Sequence, residues 1–314
     1  MFIGIIGSGN AAKRIIKILA KYNKKFLFNI YTNRRPYTLD KKIKFYKLKI
    51  DYQFNENFFF IANNTSDHFK FLNKLIKLNK NVYVEKPICC DSKEVSILKK
   101  NIKKSKSRIL IGYQYRENNC IKYLKKIITK DRDRIVNVFA YSGENVKKYH
   151  EHENYKKSYT ISKKKGGGVL LTQSHQIDYL CFLFGQFIEY KSLNSDNSKK
   201  FLLRSDVENN VSYLLKTRDG ILINANLNYF GLKKTYIKIE TLTKTYTWDD
   251  NRNTITINYA GKKKIIKFKQ KRIDLFKSRI MKFLKYNKKI INKEDLFSAV
   301  NIIEQIKKNY VKKR

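Results

Sequence analysis

The sequence has little cysteine, histidine, proline and acid, and these shortages limit what it can be. Four cysteines occur without a C-x-x-C pair, and four histidines show no zinc-ligand spacing, so we expect no metal site. No apolar run reaches the roughly 18 residues that span a bilayer, which excludes a transmembrane helix. No basic segment followed by an apolar stretch stands at the N-terminus, so we expect no signal peptide, a cytoplasmic protein and no membrane partner.

The charge is strongly unbalanced, with 69 lysines and arginines against 26 acidic residues and a formal net charge of +43. Such a surplus indicates nucleic-acid binding where it forms a patch, but here the lysines are scattered along the chain. Lysine, asparagine, isoleucine, phenylalanine and tyrosine are abundant together and prolines number only two, as is typical of an A+T-rich gene. We therefore favour coding bias over nucleic-acid binding, and expect the surplus to attract anionic substrates and cofactors.

The N-terminus has the pattern of a strand, a glycine turn and a helix. The apolar run Phe2 to Ile6 leads into Gly7-Ser8-Gly9-Asn10-Ala11-Ala12, and a helical pattern follows. In such a G-x-G-x-x-A turn the second glycine lets the backbone approach a pyrophosphate, and the alanine keeps helix and strand close. The free N–H groups of the helix N-terminus bind the anion. The pattern predicts a dinucleotide site, with a turn that needs glycines for geometry alone as the alternative.

The first third of the chain alternates strands and helices. Continuous apolar runs such as Phe58 to Ala62 are typical of strands buried on both faces of a parallel sheet. The alternation predicts an α/β fold, a doubly wound parallel sheet of the Rossmann kind. Further strands are expected at Phe26 to Thr32, Val82 to Val84 and Ile109 to Tyr113, and helices at His68 to Leu78 and Asp91 to Lys103.

Beyond about residue 120 strands dominate, which predicts a second domain. Asp219-Gly220 indicates a hairpin, a helix from about Thr172 to Phe184 is expected to end at Gly185, and residues 143–165 show no periodicity. The predicted domains are residues 1–118 and 119–314, and the last helix, about 293–310, is a candidate to pack back on the first domain. The other helices are expected at Ile121 to Ile128 and Ile273 to Leu284, and the strands at Ile135 to Tyr141, Val211 to Lys216, Ile221 to Asn228, Tyr236 to Glu240, Thr245 to Trp248, Thr254 to Tyr259 and Ile265 to Phe268.

Two further motifs have the residue types of a catalytic site. Glu85-Lys86-Pro87 follows a predicted strand at its carboxyl end, where open α/β sheets bind ligands. Gly166-Gly167-Gly168 precedes a helix on which His175 and Asp178 lie three residues apart and share a face. A histidine with a carboxylate one turn away suits general acid–base catalysis near neutral pH. Each motif alone is more often a surface turn or a packed pair than a site.

In this order the three motifs resemble those of the glucose–fructose oxidoreductase / inositol dehydrogenase (Gfo/Idh/MocA) family. Ile61 to His68 is similar to the family's turn before the helix that precedes Glu85-Lys86-Pro87, and Ile111 to Arg116 is similar to its interdomain crossover. Tyr155 to Thr160 and Tyr246 to Asp249 resemble a branch often concerned with surface-polysaccharide sugars. The resemblance covers nearly the whole chain.

The resemblance implies a Rossmann domain followed by an α+β domain with a large open antiparallel sheet, through which members form homodimers or homotetramers. Lys86 is expected to polarise or deprotonate the reacting oxygen, His175 to act as the general acid–base, and Asp178 to orient His175 or the substrate. The implied substrate-binding residues are Arg116, Tyr155, Tyr159, Thr172 and His175. The implied cofactor-binding residues are Gly7, Ser8, Gly9, Asn10, Ala11, Ala12, Thr32, Asn33, Arg34, Arg35, Asn63, Asn64, Thr65, His68, Glu85 and Lys86.

The end of the second strand bears on the choice of cofactor. A site for NAD presents Asp or Glu to the ribose hydroxyls, whereas this chain has Tyr31-Thr32-Asn33-Arg34-Arg35. Two arginines suit bidentate binding of a 2′-phosphate, so we predict NADP, with NAD as the alternative. The structural alternative is a pair of ordinary solvated arginines in a basic protein.

The chain also departs from the family. Many members have an aspartate four residues before the histidine, where this chain has Leu171, and Thr172 cannot replace a carboxylate. The spacing from the glycines to His175 is one residue shorter than in inositol dehydrogenases. We expect an NAD(P)-dependent dehydrogenase or reductase that acts on a sugar or nucleotide-sugar, in surface-polysaccharide sugar biosynthesis. The alternative is a non-catalytic protein on a Rossmann scaffold that senses dinucleotide or binds nucleic acid.

Overall fold

The computed structural model describes residues 1–36, 38, 40–148, 154–285 and 296–310. The chain divides into two compact units. The first comprises Met1–Tyr113 and Phe276–Val300, and the second comprises Gln114–Leu275 and Asn301–Arg314.

The first unit contains a six-stranded parallel sheet. Its strands are β1 (Phe2–Ile6), β2 (Leu27–Tyr31), β3 (Ile43–Tyr46), β4 (Phe58–Ile61), β5 (Asn81–Val84) and β6 (Ile109–Ile111). They lie in the order β3-β2-β1-β4-β5-β6, so the direction of strand addition reverses between β1 and β4. This is the order of doubly wound dinucleotide-binding sheets, which bind ligands at the carboxyl ends of the strands where the order reverses.

Three helices connect these strands: α1 (Asn10–Tyr22), α2 (Thr65–Lys77) and α3 (Ser92–Lys104). In α1 the apolar side chains recur every three or four residues, and they form one buried stripe that packs on the sheet. The charged side chains of α1 lie on its other face. The sequence pattern therefore determines which side of the helix covers the strands.

The second unit contains an eight-stranded, mostly antiparallel sheet. Its strands are β7 (Ile135–Gly143), β8 (Phe187–Asn194), β9 (Asn210–Thr217), β10 (Leu222–Asn228), β11 (Lys234–Thr241), β12 (Lys244–Asp249), β13 (Thr254–Tyr259) and β14 (Lys262–Lys267). They lie in the order β14-β13-β12-β11-β7-β10-β9-β8, with β10 and β7 parallel. In β9, Val211, Tyr213 and Leu215 are buried, while Ser212 and Leu214 on the opposite face are exposed. One face of this sheet is therefore open.

The buried face of the large sheet is covered by α4 (Asn119–Lys130), α5 (Val169–Thr172) and α6 (His175–Phe184). Between β7 and α5 the described residues form four short 3-10 turns, in the part of the chain without sequence periodicity. They are Val146–Lys148, Tyr155–Lys157, Tyr159–Ile161 and Lys163–Lys165.

Two helices close the chain, α7 (Arg272–Lys285) and α8 (Ser298–Lys308). Phe276, Ile280 and Phe283 of α7 lie in the hydrophobic core of the parallel sheet. Near the end of α8, the carbonyl oxygen of Ile306 accepts a hydrogen bond from Ser192 Oγ on β8, at 2.6 Å. Residues 293–295 of the predicted last helix lie outside the described residues. Among the described helices, none has the length and apolar character needed to cross a membrane.

The predicted fold class is confirmed: a Rossmann-type parallel sheet is followed by an α+β part with a large open antiparallel sheet. Two strands, β3 and β8, had no clear sequence signal. Both are edge strands. β3 has only four residues, and β8 begins with two adjacent apolar residues, Phe187 and Ile188, so neither shows the sustained alternation that marks a half-buried strand. The helix predicted from Thr172 to Phe184 is interrupted at Gln173 and Ser174.

Candidate active site

The turn after β1 contains two glycines that the fold requires to different degrees. Gly7 has φ +104°, and a Cβ atom there would lie 2.7 Å from the carbonyl oxygen of Ala62. Gly9 has φ −76°. The described atom nearest to a Cβ at Gly9 is Nη1 of Arg34, at 3.9 Å. Gly7 is therefore required by the protein, whereas Gly9 leaves open space that a closely approaching ligand would occupy.

The helix that begins at this turn has a free N-terminal end. Gly9 is the N-cap of α1, no side chain caps the helix, and its first turn carries no acid. The first N–H groups of a helix lack partners within it and bind anions. Asn10 is exposed, Ala11 is half-buried, and Ala12 is fully buried against the sheet. This end of α1 therefore has the geometry of a pyrophosphate site.

Thr32 joins the end of β2 to the same turn. Its Oγ1 lies 2.8 Å from Ser8 Oγ, and it accepts a hydrogen bond from the backbone N–H of Arg34 at 3.1 Å. Asn33, Arg34 and Arg35 are exposed, and the guanidinium of Arg34 lies beside Gly9. Of the two arginines, Arg34 is thus the one that the structure places against the glycine turn.

Asn63 follows β4 at the same edge of the sheet. Both polar atoms of its side chain are buried and have no hydrogen-bond partner among the described residues. Leaving a buried polar group unpaired costs about 1–3 kcal/mol. A ligand that bonded to this amide would offset that cost. Asn64 is the N-cap of α2, and Thr65 begins that helix and is buried.

His68 lies in α2 with protein backbone on both sides of its ring. Its Nδ1 is 2.7 Å from the carbonyl oxygen of Pro87, and its Nε2 is 3.3 Å from that of Asn63. Burial lowers the pKa of His68 below its ordinary value, which favours the neutral ring over the charged one. The imidazole therefore links α2 to the turn that carries Lys86.

Glu85 and Lys86 follow β5, and both are half-buried. Oε1 of Glu85 lies 3.5 Å from Nη2 of Arg14 in α1. The guanidinium of Arg14 is in turn 3.8 Å from the centre of the Phe276 ring in α7. These contacts fix Glu85 and so orient the backbone that presents Lys86.

The glycine triplet before α5 is required by contacts within the protein. A Cβ at Gly167 would lie 2.4 Å from the carbonyl oxygen of Tyr159, and one at Gly168 would lie 2.4 Å from Oε1 of Glu208. Burial raises the pKa of Glu208, which accepts a 3.4 Å hydrogen bond from the N–H of Leu170. The triplet therefore lets α5 begin directly against these groups.

His175 is the first residue of α6. Residues 166–181 are all buried except His175, which is half-buried. The ring of Tyr115 packs on the imidazole in a T-shaped arrangement, with centroids 5.3 Å apart and planes at 76°. His175 is therefore the least buried residue of this stretch, and it lines a cleft in the second unit together with Thr172, Gln173, Gln176 and Tyr179.

Asp178 and Arg116 contact each other. Nε of Arg116 lies 3.0 Å from both carboxylate oxygens of Asp178, and Nη2 lies 2.7 Å from Oδ1. Asp178 is 1% exposed. The family resemblance implied separate roles for these residues, in orientation and in substrate binding, and the structure brings them together as a buried ion pair.

The other predicted substrate residues are placed in different ways. Thr172 lines the cleft with His175 but is buried, with Oγ1 2.8 Å from the carbonyl oxygen of Gly168 and 2.6 Å from the hydroxyl of Tyr229. Tyr155 lies under Lys147, whose Nζ is 5.9 Å from its ring centre, and Tyr159 is half-buried. Neither tyrosine, nor Arg116, is among the described residues that line the cleft.

The cleft also contains groups that the sequence pattern did not single out. Tyr115 donates a hydrogen bond to Oδ2 of Asp250 at 2.6 Å, and burial raises the pKa of Asp250. Lys233 and Arg272 line the same cleft, which encloses about 50 Å³. Asp250 stands directly after β12, one residue beyond the stretch that resembled a sugar-handling branch. Its position at the end of that strand was the only signal in the sequence for Asp250.

A parallel sheet in this strand order, with an uncapped helix at a glycine turn, defines a dinucleotide-binding protein of the Rossmann class. Two family models match the chain. "Oxidoreductase family, NAD-binding Rossmann fold" matches residues 1–113, and "Oxidoreductase family, C-terminal alpha/beta domain" matches residues 131–313. The chain therefore belongs to the Gfo/Idh/MocA oxidoreductase family. No curated protein matches the sequence.

Solved structures show the same fold at low identity. A levoglucosan dehydrogenase complexed with NADH is 14% identical, with a TM-score of 0.81 and coverage of 99% of this chain and 98% of that one. A biliverdin reductase from Synechocystis sp. PCC 6803, solved with biliverdin and NADP⁺, is 11% identical, with a TM-score of 0.80 and 98% coverage of both chains. A myo-inositol 2-dehydrogenase from Lactobacillus plantarum is 18% identical, with a TM-score of 0.77 and coverage of 98% and 96%. Family and neighbours together indicate an NAD(P)-dependent oxidoreductase.

Proposed function

We propose that this protein is an NADP-dependent oxidoreductase that acts on a carbinol or carbonyl carbon of a sugar or sugar derivative. We assign the cofactor to the first unit and the substrate to the second; the first unit also includes Phe276–Val300, beyond the predicted boundary at residue 118. The observation that carries the proposal is Gly9, because neither its φ of −76° nor any close protein atom requires glycine there. A dinucleotide pyrophosphate is the ligand that needs a bare backbone at this position.

The residues at the carboxyl edge of the parallel sheet fit the rest of the dinucleotide. The uncapped N-terminus of α1 binds the pyrophosphate, and the unpaired amide of Asn63 offers a donor and an acceptor beside it. The hydroxyl groups of Ser8 and Thr32 contact each other and join the glycine turn to the end of β2, where the ribose is proposed to bind. When bound, the dinucleotide supplies or accepts the hydride. His68 acts here through the backbone it holds rather than through a free ring nitrogen.

NADP is favoured over NAD by Arg34. Its guanidinium lies beside Gly9, at the end of a second strand that carries no acid, and a guanidinium binds a phosphate through two parallel hydrogen bonds. Arg35 is exposed beside it and adds positive charge. A carboxylate for the ribose hydroxyls, the usual determinant of NAD sites, is absent from residues 31–35.

We assign proton transfer at the reacting hydroxyl to His175 and stabilisation of its oxygen to Lys86. Lys86 stands after β5 on a backbone fixed by Glu85, and it stabilises the oxygen as charge develops there. His175 is the half-buried imidazole of α6 that lines the cleft, and an imidazole transfers protons near neutral pH. Asp178 supports His175 indirectly, because it is bonded to Arg116 and buried within the second unit.

The cleft in the second unit suits a neutral polyol. Its volume is about 50 Å³, and we assign to it the hydroxyl-bearing end of the substrate. Its lining combines aromatic rings with amide and hydroxyl groups, and Lys233 is paired with Glu144 at 3.2 Å. A lining of amide and hydroxyl groups with little net charge binds the hydroxyls of a sugar better than it binds a second phosphate group. The proposed place in surface-polysaccharide sugar biosynthesis rests on the resemblance of Tyr155 to Thr160 and of Tyr246 to Asp249.

The open face of the large sheet is the proposed surface for a homodimer or homotetramer. It carries an apolar groove of about 620 Å³ lined by Phe139, Tyr141, Leu193, Leu214 and Tyr236. Exposed apolar area of this kind favours protein association. Sedimentation of wild type beside Leu214→Lys tests this, with dissociation expected in the variant.

The experiment that tests the function is NADPH oxidation against a panel of keto-sugars and their nucleotide conjugates. Lys86→Met and His175→Asn are expected to lose turnover by about 100-fold or more while still binding NADPH. Turnover that survives both changes removes these residues from the mechanism. Cofactor binding with no turnover on any panel member, together with tight, salt-dependent binding of nucleic acid, favours the non-catalytic alternative.

A further inference from the structure

We propose that Asp250 is a positioning residue for His175, and that it takes the place of the helix carboxylate that this chain lacks at Leu171. The inference rests on the proposed role of His175. It assigns a function to the residue directly after β12, one position beyond the stretch Tyr246 to Asp249.

The turn before His175 carries no carboxylate at position 171. Leu171 is 4% exposed and apolar, so this turn is packed into the core. Asp178, one turn after His175, is bonded through both oxygens to Arg116. Asp250, on another element of the unit, is a further carboxylate that is connected to the imidazole, through Tyr115.

Asp250 reaches His175 through Tyr115. The hydroxyl of Tyr115 donates to Oδ2 of Asp250 at 2.6 Å, and its ring packs on the imidazole with centroids 5.3 Å apart. Tyr179 and Trp248 pack against the same tyrosine, at 5.8 Å and 5.7 Å. Tyr115 is thus held at its hydroxyl by Asp250 and around its ring by aromatic side chains. It supports the imidazole from one side.

Asp250 also provides negative charge in the cleft. Glu144 is paired with Lys233 at 3.2 Å, so its charge is largely neutralised. Burial raises the pKa of Asp250, whereas the Tyr115 hydroxyl and Arg272 favour its charged form. In its charged form such a carboxylate stabilises the imidazolium and raises the pKa of the histidine.

The test is titration of the histidine ring signals by NMR, which needs no substrate. The chain has four histidines, and loss of one signal in His175→Gln identifies the relevant resonance. Asp250→Asn keeps an acceptor for the Tyr115 hydroxyl but removes the charge, and is expected to lower the pKa of His175 by about 1. Asp250→Glu restores the charge and is expected to return the pKa towards the wild-type value.

Asp249→Asn is the matched control. Asp249 is the neighbouring carboxylate and its Oδ2 lies 3.9 Å from Nε of Arg252, so its removal is expected to leave the titration of His175 unchanged. Tyr115→Phe keeps the ring but removes the hydroxyl, and should shift the His175 titration less than Asp250→Asn does. It serves as the second variant if Asp250→Asn does not fold.

The outcomes separate this inference from the proposed function. An unchanged His175 titration in folded Asp250→Asn overturns the role of Asp250, whatever the enzyme does. A shifted titration together with full turnover in His175→Asn upholds the coupling but removes His175 from the chemistry. Equal shifts of the His175 pKa in Asp249→Asn and Asp250→Asn would mean that the loss of either nearby negative charge has the same effect on this pKa. That result would also overturn the inference.

Discussion

Arg116 and Asp178 form a bidentate ion pair, with Nη2 2.7 Å from Oδ1 and Nε 3.0 Å from both oxygens. The side chains are only 10% and 1% exposed. The pair joins the 3-10 turn Gln114–Glu117 to α6, so the segment that carries Tyr115 is held against the helix that carries His175. Asp178 therefore has a structural partner in Arg116.

Replacing Asp178 by asparagine is expected to lower stability strongly. Removing one partner of a buried ion pair leaves an uncompensated charge and costs about 3–5 kcal/mol. Urea unfolding measures the change. Glu189→Gln is the control, because its pair with Lys216 at 2.8 Å is exposed and should contribute little. If Asp178→Asn unfolds like wild type but loses turnover, the Asp178 carboxylate takes part in catalysis rather than in stability.

The two glycines of the first turn are expected to respond oppositely to alanine. Gly9→Ala should keep the stability of the protein but weaken dinucleotide binding, because its Cβ enters the space proposed for the pyrophosphate. Gly7→Ala should destabilise the first unit, because its φ is +104° and its Cβ would lie 2.7 Å from the Ala62 carbonyl oxygen. Thermal unfolding and quenching of NADPH fluorescence measure the two effects. Unimpaired NADPH binding by Gly9→Ala would contradict the proposed site.

Arg34→Ala is expected to weaken NADPH binding by about 10-fold or more and to leave NADH binding nearly unchanged. A hydrogen bond to a charged group contributes about 1.5–3 kcal/mol, and each 1.4 kcal/mol is about a factor of ten in affinity. Calorimetric titration with both cofactors measures the ratio, with NADH as the internal control. An equal loss for both would show that Arg34 binds a group the two cofactors share.

His68 is expected to make the first unit less stable as the pH falls below about 6.5. Burial lowers the pKa of His68 in the folded protein from the ordinary value of 6.5, so below that pH the unfolded chain binds a proton that the folded one excludes. The stability advantage of wild type over His68→Gln should shrink by about 1.4 kcal/mol per pH unit. Urea unfolding between pH 8 and pH 5 measures it. A difference that stays constant over this range would mean that His68 takes up its proton equally in both states.

Much of the fold follows from the sequence because its signals are local. The glycine turn of Gly7 to Ala12, the apolar run of β4 and the Asp219-Gly220 hairpin each predict their own geometry from neighbouring residues. The edge strands β3 and β8 could not be recognised, because their sequences lack sustained alternation and depend on a paired neighbour for their structure. The family motifs are also short runs of neighbouring residues, and for that reason they could identify residues at the carboxyl edge of the parallel sheet.

The candidate site was less predictable because its contacts are non-local. Asp178 and Arg116 are 62 residues apart in sequence, and Tyr115 and Asp250 are 135 apart. Residue type and spacing showed that these side chains could do chemistry, but only tertiary packing decides which of them pair with each other. The glycine triplet illustrates the same limit, since Glu208 rather than a ligand lies against Gly168.

The central claim is that the first unit binds a nicotinamide dinucleotide across the turn of Gly7 to Ala12. Titration of the full chain with NADPH, followed by nicotinamide fluorescence, tests it without knowledge of the substrate. We expect saturable binding of one NADPH per chain, tighter than that of NADH. A folded protein that binds neither dinucleotide would contradict the account.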